Sequence, residues 1–246
     1  MNWIVNIIFV LSAILAFYRG QHPGFSFERL TKTTVLNSIL GVLLFFTLLM
    51  VLHFLGFFPQ FIAAPFMIVL YSLIAGFFGG YAWRLYRLRR KMGNLLYQHR
   101  TFWTDHAPAI FAVLLIIYGL FRTALLTDQF ITGIRITSGL SLMAFGLVIW
   151  MLKTVPEFRS WGILLLDKEI GWQTVVSWSW ESESVISIEY LGTRKNSEGR
   201  IRQFYTSVPE EDRRELELIL KSKMEEYSEE RKDILFPDND NETELT

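Results

Sequence analysis

Four histidines are the first place to look for acid–base or metal chemistry in this 246-residue chain: His22, His53, His99 and His106. Imidazole titrates near neutral pH and is a common metal ligand, but a metal site needs several such groups converging on one point. His99 and His106 are separated by six residues and give no adjacent pair. A haem-binding bundle would need histidines at matched depth inside apolar helices, and only His53 lies within an apolar run. The chain has no cysteine, which excludes thiolate nucleophiles, disulfides and Cys-ligated metal. No phosphate loop, dinucleotide fingerprint, HExxH or GxSxG is present. Asp128, Arg122 and Arg135 sit at the ends of apolar runs, where anchoring and a local ion pair are the expected roles. The sequence therefore offers no catalytic, cofactor-binding or metal residue, and the expectation is a protein that is not an enzyme. His99 and His106 are the sole candidates for acid–base work in a membrane enzyme.

The elements around these residues say more. The chain is 51% hydrophobic, and its formal net charge of zero is a cancellation. Residues 1–152 carry 11 Lys/Arg against three acids, net +8, and residues 153–246 carry 13 against 21, net −8. Such a split places two regions in different environments. Five apolar runs fill the first: 1–18, 33–57, 61–83, 107–126 and 131–152. A bilayer core of roughly 30 Å takes about 20 apolar residues as helix, so five transmembrane helices are expected, the first as an uncleaved signal anchor.

Orientation follows from the basic residues between the runs. One side receives Arg19, Arg29, Lys32, Arg84, Arg87, Arg89, Arg90, Lys91, Arg100, Lys153 and Arg159, and the other only Arg122 and Arg135. The expected localisation is the plasma (inner) membrane, with the N-terminus outside and the C-terminal domain cytoplasmic. Trp83–Arg100 dominates this bias, and its leucines fall on one helical stripe. It reads as an amphipathic helix on the membrane surface. Arg84, Arg87, Arg89, Arg90 and Lys91 are its candidate contacts to anionic lipid headgroups, each worth about 1 kcal/mol. Gly76 and Gly80 form a GxxxG, expected to pack helices within the bundle.

After Pro156 the pattern changes to short alternating segments, 162–167, 172–181, 185–191 and 200–206, separated by polar turns. Lys168–Gly171 reads as one such turn. Ser207 and Glu210 form a capping box ahead of a helix with Leu216, Ile219, Leu220, Met224 and Tyr227 on one face. Trp172, Trp178 and Trp180 are expected to form the core beneath it. Arg194, Lys195, Arg200, Arg202 and Tyr205 gather on one hairpin as a candidate surface for a cytoplasmic protein partner. Residues 229–246 are acidic and turn-rich and read as a disordered tail, a candidate competitor of lipid for the basic stretch.

Gly162-Ile163, Trp172, Val175, Trp180, the strand 185–191 and Val208-Pro209 leading to Leu216, Ile219 and Leu220 carry a family resemblance. Together they resemble a bacterial pleckstrin-homology-like (PH-like) domain, as found at the C-terminus of an uncharacterised family of multi-spanning membrane proteins. The resemblance spans about 157–224. It departs from the full fold in having room for five strands rather than seven. The basic loop that binds phosphoinositides in eukaryotic members is not recognisable around Lys168–Gly171, so headgroup binding by this domain is not implied.

The expected architecture is an α-helical membrane bundle at 1–156, a small cytoplasmic α+β domain at 157–228 and the tail. The expected function is a non-enzymatic integral membrane protein presenting a binding or scaffold module. A transporter or channel subunit with a regulatory cytoplasmic domain is the alternative. Nucleic acid is not an expected partner, since no binding motif accompanies the basic residues.

Overall fold

A computed structural model describes residues 3–27, 31–192 and 200–235. The apolar runs become helices close to their expected bounds: α1 (Trp3–Gln21), α2 (Lys32–Phe54), α3 (Gln60–Lys91), α4 (Ala107–Arg122) and α5 (Gly133–Met151). Helices α2, α3, α4 (with the turn from Phe102 that precedes it) and α5 are long and apolar enough to cross a membrane. By the same measure α1 counts as a shorter apolar helix over Ile7–Gln21, so length and composition support four spans where five are expected. The chain divides into two units, one of residues 1–88 with 102–153, the other of 89–101 with 154 onward.

In the first unit, glycine decides how the helices meet. A Cβ on Gly76 would run into the carbonyl oxygen of Ala13, and one on Gly80 into that of Phe17. Gly20 of α1 abuts Phe77 and Tyr81 in the same way. Residue numbers rise together along both helices, so α1 runs parallel to α3. The GxxxG thus packs two helices of one chain, since small residues let backbones approach closely. Gly119 and Gly139 bring α4 and α5 equally close, with the chain running in opposite directions. Phe78 meets Phe145 edge-on, and Tyr81, Ala82, Leu85 and Val148 form the bundle's buried cluster. Helix α2 has no buried residue. Replacing Gly76 with Val is expected to separate α1 from α3. The chain has no native cysteine, so disulfide trapping of cysteine pairs introduced on α1 and α3 would report that separation without background.

Among the described residues the second unit contains seven strands. Four form one antiparallel sheet in the order β1 (Leu95–Tyr97), β2 (Glu157–Arg159), β3 (Gly162–Leu165) and β4 (Lys168–Gly171). Three form another: β5 (Val175–Ser182), β6 (Val185–Leu191) and β7 (Ile201–Ser207). Helix α6 (Glu210–Glu226) sets Leu216 and Leu220 into a core with Tyr97, Phe158, Ile163, Ile170, Trp172, Ile186, Ile188 and Phe204.

Several sequence expectations are corrected here. The amphipathic helix assigned to Trp83–Arg100 ends at Lys91, because Gly93 adopts φ +76°, the left-handed conformation that stops helices. The following residues form β1, which joins the second unit. Residues 89–101 thereby join residues 154 onward in the second unit, and the described residues hold seven strands where five are expected. Lys168–Gly171 is a strand, and the turn before it is Leu166-Asp167, with Leu166 at φ +56°. Trp172–Thr174 is a short 3₁₀ turn, so simple alternation fails: Val175 is fully buried while Val176 is half-buried. Helix α6 starts at Glu210 with Pro209 at its cap, because Ser207 still pairs with Val185 in the sheet. Ser228–Leu235 forms helix α7 in the stretch expected to begin the disordered tail. Its composition suits a helix, and Arg231 Nη2 donates to the Met224 carbonyl 3.1 Å away. Residues 236–246 lie outside the described region.

Candidate functional site

The second unit is assembled from two pieces of chain, and the join is where its charged residues gather. Helix α3 delivers Arg89 and Lys91 in its last turn. Strand β2 delivers Glu157 and Arg159. Glu157 is buried at 3% exposure and accepts 2.9 Å from Arg89 Nη2 and 2.7 Å from Arg159 Nη2. Arg159 Nη1 also donates to the carbonyls of Gly93, at 2.7 Å, and Arg89, at 3.2 Å. One carboxylate and two guanidiniums thus pin the C-terminal end of α3 to β2. The arrangement is structural: Arg159 spends Nε, Nη1 and Nη2 on protein acceptors, and Arg89 Nη2 is spent on Glu157.

Strand β1 completes the join. Leu95 pairs with Arg159 and Tyr97 with Phe158. The Tyr97 ring enters the core, and its hydroxyl donates to Asp212 Oδ2 of α6 at 2.9 Å. Burial, then the bond to Asp212 and the charge on that carboxylate, push the Tyr97 hydroxyl well above the ordinary phenol range. The folded state therefore favours the protonated phenol. That contribution is complete below the unfolded value of 10.0 and is lost as pH climbs beyond it toward the folded value. Tyr97→Phe is expected to cost about 1 kcal/mol at neutral pH. It should also flatten the fall in stability between about pH 9 and pH 11. Urea melts of both proteins across that range provide the check.

The basic residues expected to meet lipid separate into distinct roles. Arg84 Nη1 donates 2.8 Å to the Phe25 carbonyl, and its guanidinium stands 5.7 Å from the Tyr81 ring centre. Arg87 is exposed and donates to Gln21 Oε1. Arg89 is committed to Glu157, and Lys91 pairs with Glu169 at 3.0 Å on the surface. Arg90 is exposed. Of the five, Arg89 and Lys91 answer carboxylates, Glu157 and Glu169.

The expected partner hairpin also divides. Arg194 and Lys195 lie outside the described residues. On β7, Arg202 shares a face with the core residue Phe204, whereas Tyr205 points to the opposite, exposed face at 58% exposure. Ser177, Glu189, Ser187 and Gln203 lie near Tyr205 on that outer face and bond one another across the strands. A separate surface groove of about 310 Å³ involves Gly93, Asn94, Ser160, Trp161, Glu226 and Tyr227. Trp161 is 61% exposed there. An indole left in water at the rim of a groove is the kind of anchor that interfaces use. No local sequence signal marks it, because only the fold brings residues 93–94 beside 160–161.

His53 Nδ1 lies 2.7 Å from the Phe58 carbonyl and closes the turn after α2, while His106 caps α4. Among the described residues, no three His, Asp or Glu side chains gather as metal ligands. Arg135 donates to Gln129, and Asp128 forms no ion pair among the described residues.

Residues 154–225 match a domain of unknown function, DUF5673. The match covers β2 to α6 and stops short of β1. No curated protein and no solved structure matches the chain.

Proposed function

We propose that this is a non-enzymatic integral membrane protein whose second unit is a PH-like binding or scaffold module on the cytoplasmic side. The observation that carries the reading is the two-part construction of the module. Residues 89–101 and the chain from 154 onward fold together, so both must lie on one side of the membrane. The antiparallel pair α4 and α5 connects them, and two spans return the chain to the side it left. Seven strands with one closing helix match the strand count of the full PH fold, which supports that assignment. The parallel alignment of α1 with α3 supports α1 as a fifth span, since an odd number of passes relates helices that run the same way. With five spans, the 11-to-2 excess of basic residues marks the module's side as cytoplasmic.

The outer β-face around Tyr205 and the groove at Trp161 are the surfaces available to a partner. Affinity capture of the full chain from native membranes is expected to recover a partner that is lost on substituting Trp161 or Tyr205 with Ala. An interactome unchanged by both substitutions and by deletion of 157–228 would end this reading. Accessibility labelling of single cysteines placed at Asn94 and Gln173 is expected to show both on the cytoplasmic face.

A further inference from the structure

The bundle carries a lateral groove of about 710 Å³ that no function above uses. Ala13 and Phe17 line it from α1, Ala75 and Gly76 from α3, and Met143 and Leu147 from α5. Its cause is local. Glycine presses α1 onto α3, and Phe145 seats α5 on Phe78, so both helices rest on α3 and leave a cleft. The lining is apolar until the last turn of α1, where Gln21 joins it. From Ala13 to Gln21 the cleft runs about 12 Å along the helix, enough to hold part of an acyl chain.

We propose that this groove is a binding site for an anionic phospholipid, with one acyl chain along α1 and α5 and the phosphate at Arg87. The proposal rests on reading α1, α3 and α5 as a membrane bundle. Charge selects the occupant. Arg87 donates to Gln21, the residue that ends the groove. Its partner is a neutral amide, so the guanidinium keeps its full charge for a headgroup. Arg84 is half-buried, held by the Phe25 carbonyl and over the Tyr81 ring, whereas Arg87 is exposed; Arg89 is neutralised by Glu157. Arg19 lies in the same final turn of α1, and neither α1 nor α3 contains an acid. A long apolar slot ending in an unneutralised cation fits a lipid with a negative headgroup better than a zwitterionic one.

The test uses the full chain in nanodiscs of phosphatidylcholine with a minority of phosphatidylglycerol. Lipid retained after gentle extraction is quantified by mass spectrometry. Phosphatidylglycerol should be enriched about fivefold over its bulk share, the ratio for one basic contact at a membrane surface. Arg87→Gln should bring the ratio close to bulk, and Arg87→Lys should keep it. Leu147 is 43% exposed in the groove, so Leu147→Trp should fill the slot without disturbing the core and lower retained lipid of both kinds. A bulk ratio in the parent protein overturns the proposal. So does an equal loss from Arg90→Gln, which would indicate diffuse surface charge, or unchanged retention in Leu147→Trp. Resistance of the protein to carbonate extraction tests the membrane reading separately, so the two can fail independently.

Discussion

A fragment of residues 154–235 is expected to populate largely unfolded states. The same fragment joined to residues 89–101 by a flexible linker is expected to fold cooperatively. The fragment alone contains the whole match to the domain of unknown function, yet it lacks three things. It loses the Tyr97 ring from the core, a deletion of the class that costs about 3–5 kcal/mol. It loses the β1 rung, leaving β2 as a bare edge over Phe158. It also loses Arg89, one of the two partners of Glu157. A domain of this size has about 5–15 kcal/mol in total, so these losses consume most of it. Chemical-shift dispersion and urea melts of the two polypeptides decide the matter. Equal, cooperative stability without residues 89–101 would show that β1 is dispensable.

Glu157→Ala in the full chain is expected to destabilise the second unit by about 3–5 kcal/mol, the usual cost of stranding buried charge. Arg89 and Arg159 side chains are 16% and 14% exposed, and Glu157 is 4% exposed. Removing the carboxylate leaves two guanidiniums close together with little water to screen them. The companion Arg89→Met should cost less, because Arg159 still neutralises Glu157 through two nitrogens on Oε2 and only Oε1 loses its donor. In Glu157→Ala/Arg89→Met the effects should be less than additive, since the second change removes a charge the first had stranded. Hydrogen exchange of β2 and the end of α3 reads both effects; additive losses would mean that Glu157 and Arg89 act independently.

The helical half of the molecule was legible because its signal is local. Apolar runs, a GxxxG and the sparse polar turns between them place α1, α2, α4 and α5 within about four residues, while α3 runs eight residues past its apolar stretch to Lys91. The later strands were readable for the same reason: alternation in 185–191 and 201–206 is written in adjacent residues. What could not be read is β1. Leu95 and Leu96 continue the leucine stripe of Leu85, Leu88 and Met92, so periodicity favours a longer helix. Gly93 is the contrary signal, a glycine directly after a basic helical turn, and it marks the stop. Even with that stop recognised, nothing near Leu95–Tyr97 names Phe158 and Arg159 as its partners. The charges fared similarly. Their clustering near the end of α3 is visible in the sequence, but which of them bind carboxylates depends on where Glu157 and Glu169 arrive, roughly 70 residues later in the chain.

Strand β1 also sets an order of events during synthesis. Tyr97 leaves the ribosome well before Phe158, and its hydrogen-bond acceptor Asp212 follows 115 residues after it. At about 5–20 residues per second the strand waits several seconds or more for its partners. On the proposed topology, α4 and α5 are threaded into the bilayer during that wait. If that pair inserts wrongly, β1 and β2 end on opposite sides and the second unit cannot close. Under that proposed topology, closure of the second unit would report correct insertion, because a misthreaded copy would leave the module unfolded.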